Sequence, residues 1–581
     1  PGRRSTSASG SDTGNSLFAE RSSGDTARLE NLRHLQNLDN KTSAAGGKTS
    51  AMLLKDIECH GKQPGEPYGL YAFQPIDNDE LRSFDGGWTV EGGKNRRNEI
   101  TNLLVTDTSA QGKSGAGLFA KTPNSSTANP VKFTGVHLVD AEVTAAKPAG
   151  ALVGCAGAGN EFQDILVTGS HVTCTDNNPA TAAAGGVVGG GNSEATMATG
   201  GIKYFSAKDQ KFQQVRTVNT FAACAAGAAG GIAGRISGAS NCTSCQAYWE
   251  PEEGQLDLRG LLGSSTTQYE YPITGDYAGG LVGHFDRTNN ATQGADTFTI
   301  ERSFASTLVK GTTYTAGLLG GSRSVIITVK NSYTDCYLAG GRAAGLIGNT
   351  SNTTTLQNCY AAGFIQMEGT EAAAGLCLGA VKVAAENAYS AMSYPGISKD
   401  SSVFPLVQEI DDGSGRFKNS YYLAESIPSR DPADSMAKSY NDMSDKQFLS
   451  VMGGLFEFKG YRTGTESQNT NPYNLQEKQN LTKYSFPGLK GLPHYGDWAA
   501  YFKEPSLVYY EKDSTGKIGF SGGNARELIG KLEDSQNITI KTDGYAVALM
   551  EKDLPKSGSF QVTYTYLGKN GEKAALGPYT Y

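Results

Sequence analysis

The chain has 581 residues, 74 of them glycine, and a formal net charge of −7. No Lys/Arg cluster exceeds Arg3-Arg4 or Arg96-Arg97, which argues against nucleic acid as a partner. No run of eighteen apolar residues reads as a transmembrane segment, and the glycines follow no collagen triplet.

Residues 1–24 are rich in Ser, Gly, Thr and Asp and read as a flexible N-terminal segment. The chain opens on Pro1-Gly2 without an initiator Met or an apolar signal core. The expectation is a processed or recombinant piece whose export signal and anchor lie outside it. Leu29, Leu32, Leu35 and Leu38 recur at i+3 and predict a one-faced helix from Ala27 to Leu38, with Asp25 or Thr26 as N-cap. His34 reads as a residue on that helix's surface. Short strands are expected at 51–59, 73–76, 84–90, 100–105 and 117–119.

From Gly115 to Gly379 one phrase keeps returning: a small residue, Gly, an apolar pair, Gly. Its central apolar residues are Leu118, Leu152, Val187, Ile232, Leu281, Leu318, Leu346 and Leu376, at gaps of 28 to 49 residues. Such self-similarity marks a repeat architecture. One unit cannot bury its own apolar face, whereas stacked units share a continuous core. Glycine suits the corner between short strands, through φ > 0 or through close backbone approach. A second ladder advances with the first: Asn331-Ser332-Tyr333, Asn358-Cys359-Tyr360 and Asn387-Ala388-Tyr389, with Arg302-Ser303-Phe304 as a degenerate copy. Asn tolerates the αL conformation at a turn, and the same position in successive coils predicts stacked amides. The predicted fold is mostly β: a β-solenoid with an N-terminal helical cap.

The segments at 192–222, 246–277 and 285–298 predict loops projecting from one side of the coil. Tyr248, Trp249, Tyr269 and Tyr271 lie in the second of these. They are either exposed contacts for a glycan or protein, or aromatics folded back over the coil. Nine cysteines make an odd number, so at least one is free or pairs between chains. Cys242 and Cys245 form a C-x-x-C pair without a second pair or a nearby His cluster. That favours a local disulfide or plain core thiols over zinc or redox chemistry.

After residue 390 the glycine phrase stops. Residues 391–503 read as a C-terminal cap region, with a helix over 441–452 capped by Ser444. Short strands with Gly and Asp turns from 504 to 581 predict a small β-sandwich.

No motif selects catalytic, cofactor-binding or metal-ligating residues. Six histidines are scattered without a His-Glu-x-x-His pattern, and no glycine phrase matches a phosphate loop. Glycoside hydrolysis needs a carboxylate pair. Asp411-Asp412 sits in a Ser/Gly-rich loop, and Asp140, Glu142 and Asp164 are the carboxylates that successive coils would bring together.

Lys55-Asp56-Ile57, Phe73-Gln74-Pro75-Ile76, Phe84-Asp85-Gly86-Gly87, Ile100-Thr101-Asn102-Leu103 and Gly117-Leu118-Phe119 follow one another in order. This order resembles the N-terminal part of bacterial surface proteins with GLUG-type repeats. The resemblance covers about residues 25–390. The chain departs from that pattern with Trp88 and Val90 where His and Ile are frequent, and with an insertion from Glu91 to Asn98. The resemblance implies a right-handed parallel β-helix exported to a bacterial cell surface, in adhesins or large surface proteins, and carries over no catalytic residue. The expected organisation is a flexible segment at 1–24, a β-helix with its N-terminal cap at 25–390, a cap region at 391–503 and a β-sandwich-like domain at 504–581. The expected function is a non-catalytic, secreted or cell-surface stalk or adhesin without cofactors, binding a glycan or a host or bacterial surface protein. The alternatives are a carbohydrate-active β-helix enzyme, either lyase or hydrolase, and a self-assembling filament or pilus subunit.

Overall fold

A computed structural model describes residues 26–39, 50–59, 73–107, 115–191, 193–196, 203–249, 271–288, 296–323, 325–380, 382–394, 402–409, 416–424, 435–443, 445–458 and 486–492. Six strands between 507 and 580 are described by their backbone.

The chain builds a parallel β-solenoid. Thr26–Leu29 pairs in parallel with Ser50–Leu53, which pairs with Ser83–Asp85. The ladder continues through Lys132–Thr134, Glu161–Thr168, Lys211–Val218, Ala239–Thr243 and Asp296–Glu301. Val325–Ala344, Thr353–Ala374, Lys382–Ser393 and Phe417–Leu423 extend it in the same sense. A second parallel ladder runs Ile76–Asp77, Phe119–Lys121, Val153–Ala156, Val188–Gly191, Ala233–Ser237, Val282–Asp286 and Leu319–Ser322.

The glycine phrases form the corner that enters this second ladder. Their eight central residues are all fully buried. Each phrase reaches the next through backbone: Val187 N–H donates to the Ile232 carbonyl at 2.9 Å, Ile232 to Leu281 at 2.9 Å and Leu346 to Leu376 at 2.9 Å. Leu376 N–H continues to Leu406 at 2.7 Å, a further rung that the glycine pattern did not mark. Strands at 402–404, 407–409, 417–423 and 437–438 carry the coil past residue 390.

The phrase needs glycine mainly for space. Among its glycines only Gly379 has a positive φ. A methyl at Gly280 would sit 2.0 Å from the Gly317 carbonyl oxygen, and one at Gly345 would sit 2.1 Å from that of Gly375. Positive φ falls at a different corner, at Gly135, Asp164, Gln214, Ser244, Arg302, Asn331, Asn358, Asn387 and Asn419. There the asparagine amides form the expected ladder: Asn358 Nδ2 donates to Asn331 Oδ1 at 2.9 Å, Asn387 to Asn358 at 3.0 Å and Asn419 to Asn387 at 3.0 Å. Arg302 occupies the same corner, and Phe304 is in register with Tyr333. Inside the coil, Phe133, Phe162 and Phe212 stack at 5.2 Å intervals, tilted by 9° and 12°.

The N-terminal segment departs from a single helix. Thr26–Leu29 is a strand, and the helix covers only Leu32–Asn37, with Asn31 rather than Asp25 or Thr26 as N-cap. The i+3 leucines divide because Leu29 enters the first coil of the ladder, where its N–H and carbonyl find strand partners. His34 is buried, 4% exposed, and its Nδ1 accepts from Glu30 N–H at 3.2 Å, so it is not a surface residue. In the cap region the helix is split into Tyr440–Met443 and Lys446–Met452, and Asp445, not Ser444, caps the second. Beyond 503, four strands form one antiparallel sheet and two form another.

Crowding at the corner predicts a graded response. Gly280→Ala should destabilise by about 3 kcal/mol or more, because a backbone carbonyl cannot yield as a side chain can. Gly92→Ala, with nothing within 4 Å but φ +57, should cost only about 1 kcal/mol. Denaturant midpoints of the two variants measure the difference, and equal losses would remove the close-approach explanation.

Candidate functional site

Side chains alternate across each strand, and the preserved registers align them into columns. Phe304, Tyr333, Tyr360 and Tyr389 form one column on the outside of the coil. Successive rings lie 4.9, 4.8 and 5.0 Å apart and nearly parallel. Met443, Phe448, Met452, Phe456, Phe486 and Leu489 cover it, and the Tyr389 hydroxyl donates to the Pro487 carbonyl at 2.6 Å. The cap region thus closes a second dry core over the side of the solenoid.

A neighbouring column stays partly open. Glu142, His171 and Phe221 are register partners. Ala222, Ile273 and Val309 are partners too, which sets Phe221 and Leu308 in one column two coils apart. Leu308 continues to Tyr337 and Phe364. His171 stacks on Phe221 at 4.4 Å, and Trp249 meets Phe221 edge-on at 5.2 Å. Trp249 and Tyr271 pack against Leu308, Tyr337 and Phe364, with the Lys310 ammonium 5.5 Å over the Tyr271 ring. The Tyr337 hydroxyl donates to Gln366 Oε1. The floor is dry, with Leu308 1% and Phe364 2% exposed, while His171 is exposed and Phe221, Trp249 and Tyr271 are half-buried.

Tyr248, Trp249 and Tyr271 therefore lie against the coil instead of projecting from it. Trp249 and Tyr271 belong to this strip, and Tyr248 stacks on Phe304 at 6.0 Å beside the covered column. Tyr269 lies outside the described residues. The sequence did not mark His171, Phe221, Lys310 or Tyr337 for this face. Their signal is column register, which appears only once strand pairing is known.

All nine cysteines are buried free thiols. Cys242 and Cys245 are not bridged. Ser244 between them has φ +55, and this kink turns both side chains into the core, where the Cys245 thiol donates to the Phe212 carbonyl at 3.5 Å. The neighbouring Cys245 thiol, and after it burial, push the Cys242 thiol well above its ordinary range. Cys174 and Cys224 are register partners on adjacent coils, both buried.

The carboxylates considered for hydrolysis are occupied differently. Asp164 holds Arg97 at 2.7 Å, Asp140 sits at a corner with φ +54, and Glu142 is His171's register partner in the open column. Asp411-Asp412 lies outside the described residues.

A buried ionic cluster on the second ladder was missed altogether. Ile236 and Phe285 point into the core, so Arg235, His284 and Asp286 point the other way. Arg235 Nη1 bonds both Asp286 oxygens at 3.2 Å, and Nη2 donates to the Pro179 carbonyl at 2.8 Å. The Ser206 hydroxyl donates to Asp286 Oδ2. His284 Nδ1 lies 2.9 Å from Asp286 Oδ1 without aligned hydrogen-bond geometry, and the Tyr277 ring meets the imidazole edge-on at 4.4 Å. Ser–Asp–His is not a nucleophile arrangement here: the carboxylate separates hydroxyl from imidazole, whereas activation of the hydroxyl requires imidazole in the middle. Asp286 is held well below the usual carboxylate range. Its burial opposes this, and the Arg235 charge, the His284 contact and the Ser206 hydrogen bond outweigh it. Burial is also the main cause that lowers His284 below its ordinary 6.5.

These features define a class, a parallel β-solenoid with one aromatic column closed by its own cap and another half open. No family model matches the chain, and no curated protein matches it. The crystal structure of a "putative immunoglobulin A1 protease" from Bacteroides ovatus is similar over 82% of this chain and 97% of that chain, at 14% identity and a TM-score of 0.32. Likeness at that level carries no functional assignment. Among the described residues no helix is long and apolar enough to cross a membrane.

The cluster sets a pH response. His284 folded below 6.5 means the unfolded chain takes up the proton first, so stability is full above about pH 6.5 and falls as the medium is acidified. Burial lowers His34 and His137 in the same direction. Asp286, depressed below 3.8, holds its contribution until much stronger acid. His284→Asn should therefore flatten the loss of stability between pH 7 and pH 5 by at most about 1.4 kcal/mol per pH unit. Denaturation at stepped pH measures it, and an unchanged slope would count against a buried neutral imidazole.

Proposed function

We propose that the chain is a non-catalytic surface protein of a bacterium, a rigid β-solenoid stalk of the GLUG-repeat kind that binds its ligand along one side. The observation that carries this reading is the half-open column of His171, Phe221, Trp249 and Tyr271 above a dry floor of Leu308, Tyr337 and Phe364. Large aromatics that are half desolvated and held by neighbours in fixed register lose little conformational freedom on contact, as binding hot spots require. The coil supplies that rigidity. Its ladders run without a break in parallel sense, and an amide ladder from Asn331 to Asn419 pins one corner. Export to a cell surface follows from the resemblance of the motifs between Lys55 and Phe119. The partner class is a glycan or a host or bacterial surface protein.

An array of glycans and surface proteins probed with the intact chain tests the proposal. Replacing Phe221 and Trp249 together by Ala should weaken any captured ligand by about 30-fold or more, the cost of losing one hot-spot residue. Circular dichroism of the variant controls for folding. Undiminished binding by a folded double variant would move the function away from this face.

A further inference from the structure

We infer that the hairpin from Trp88 to Arg97 is a second, separate binding site, a stacking platform for a neutral pyranose sugar. The hairpin consists of Trp88–Glu91 and Lys94–Arg97, joined by Gly92 and Gly93 at φ +57 and +78. Two positive-φ central residues match the turn that two-residue hairpins prefer. Trp88 and Val90 share one face, and they are the two most exposed large apolar side chains among the described residues, at 53% and 70%.

The root of the hairpin is fixed on all sides. A methyl at Gly86 would collide with the Gly135 carbonyl and one at Gly87 with the Leu53 carbonyl, both at 1.9 Å. Asn98, fully buried, donates to the Leu53 carbonyl at 3.2 Å and accepts from the Thr89 hydroxyl. The Arg97 guanidinium lies over Gly135 and is only 11% exposed. Asp164 Oδ2 binds it at 2.7 and 3.0 Å, and Asp85 approaches it to 3.7 Å. The same guanidinium stands 3.6 Å from the centroid of the Trp88 ring. Trp88 is thus an indole with one face locked on an immobilised cation and much of the ring still in water.

Such a group adds little to stability, since an exposed cation–π contact is weak and the ring buries little area. It is instead preorganised for contact, which lowers the cost of binding. The occupant follows from size and charge. Trp88 and Val90 together offer only about 200 Å² of apolar surface, far below the roughly 800 Å² per partner of a stable protein interface. A pyranose fits: its C–H face covers one indole ring, and its edge presents hydroxyls. Asn95 on the same face and the half-exposed Asp85 and Asp164 carboxylates are hydrogen-bonding partners for those hydroxyls. Lys94, Arg96 and Arg97 of the hairpin stand against Glu91 and the adjoining Asp56, Asp85, Glu99 and Asp164, three cations to five carboxylates, so the platform carries net negative charge and disfavours anionic sugars and phosphates.

The test uses the full chain and saturation-transfer NMR with methyl β-glucopyranoside, methyl β-galactopyranoside, methyl α-mannopyranoside and, as the anionic comparator, methyl β-glucuronide. At least one neutral glycoside should receive saturation at its ring C–H protons, and the glucuronide should receive less. Trp88→Ala should weaken binding by about tenfold or more, Trp88→Phe should keep most of it, and Leu455→Ala, at an exposed apolar side chain outside both sites, should leave it unchanged. Loss on Trp88→Ala reports this site, and loss on the double replacement of Phe221 and Trp249 reports the lateral strip, so either can fail alone. No transfer to any neutral glycoside, equal binding by Trp88→Ala, or preference for the glucuronide would each overturn the inference. So would self-association of the chain, seen by sedimentation, that Trp88→Ala abolishes, because the platform would then be a contact between copies.

Discussion

The structure depends on how closely one stretch of backbone lies on the next at a single corner. Gly186, Gly231, Gly280, Gly317 and Gly345 each bring Cα to a carbonyl oxygen of the following coil, at distances where a methyl would stand 2.0 to 2.4 Å away. No side chain other than hydrogen fits there. Ala151 holds the same register position one coil before Gly186, so the coil spacing is that of hydrogen-bonded parallel strands, and the glycines let the later corners keep it. Once it is fixed, the buried leucine, valine or isoleucine of each phrase meets its counterpart, and the carbonyls in between find their N–H partners.

Register then multiplies small interactions into long ones. An asparagine at one αL corner satisfies its own turn, and four in succession form an amide ladder. A tyrosine two residues after that corner would be an exposed ring on one coil. Over several coils it becomes a parallel stack large enough to need its own cover, which helices and strands between 440 and 492 provide. The αL kink also explains why C-x-x-C here means two inward thiols. Ser244 reverses the alternation, so positions 242 and 245 reach the same interior.

Much of this was legible in the sequence because the repeats carry it. The solenoid, the eight buried phrase centres and the Asn-x-Tyr ladder, with Arg302 in its corner, could all be read from spacing. What could not be read lies where one pattern serves two structures. The leucines at 29, 32, 35 and 38 fit a helix face, yet Leu29 is held by the edge of the first coil and only the later ones are helical. Residue 390 looked like an end because the glycine signal ceased, but Leu406 and Asn419 occupy the same corners with other neighbours around them. Arg235 and His284 lie one coil apart at matching registers, and nothing in a linear reading aligns residues 49 positions apart unless the intervening loop is discounted. The lateral strip was half legible for the same reason. Trp249 and Tyr271 stood out as aromatics in a long excursion, whereas His171 and Tyr337 join them only through strand pairing.

A solenoid that converts every outward position into a column must decide, column by column, what to do with aromatic residues. An aromatic column left bare would be a long apolar stripe beside polar strands, an invitation to aggregate. This chain treats its columns differently. The tyrosine stack is roofed by residues between Met443 and Leu489 and becomes core. The strip through Phe221 and Trp249 has its floor sealed but its rim wet, with a histidine and a lysine at its borders. Trp88 is held clear of both on a hairpin pinned at its root. If all three served only stability, burial should rise together across them, because area removed from water is the common driving force. It does not: it falls from nearly complete at Tyr360 to half at Trp88. The anchoring does not weaken in step, since Trp88 rests on a guanidinium fixed by two carboxylates. Rigid support without burial is what contact with a second molecule calls for, and that gradient separates the surfaces that hold this protein together from those it offers outward.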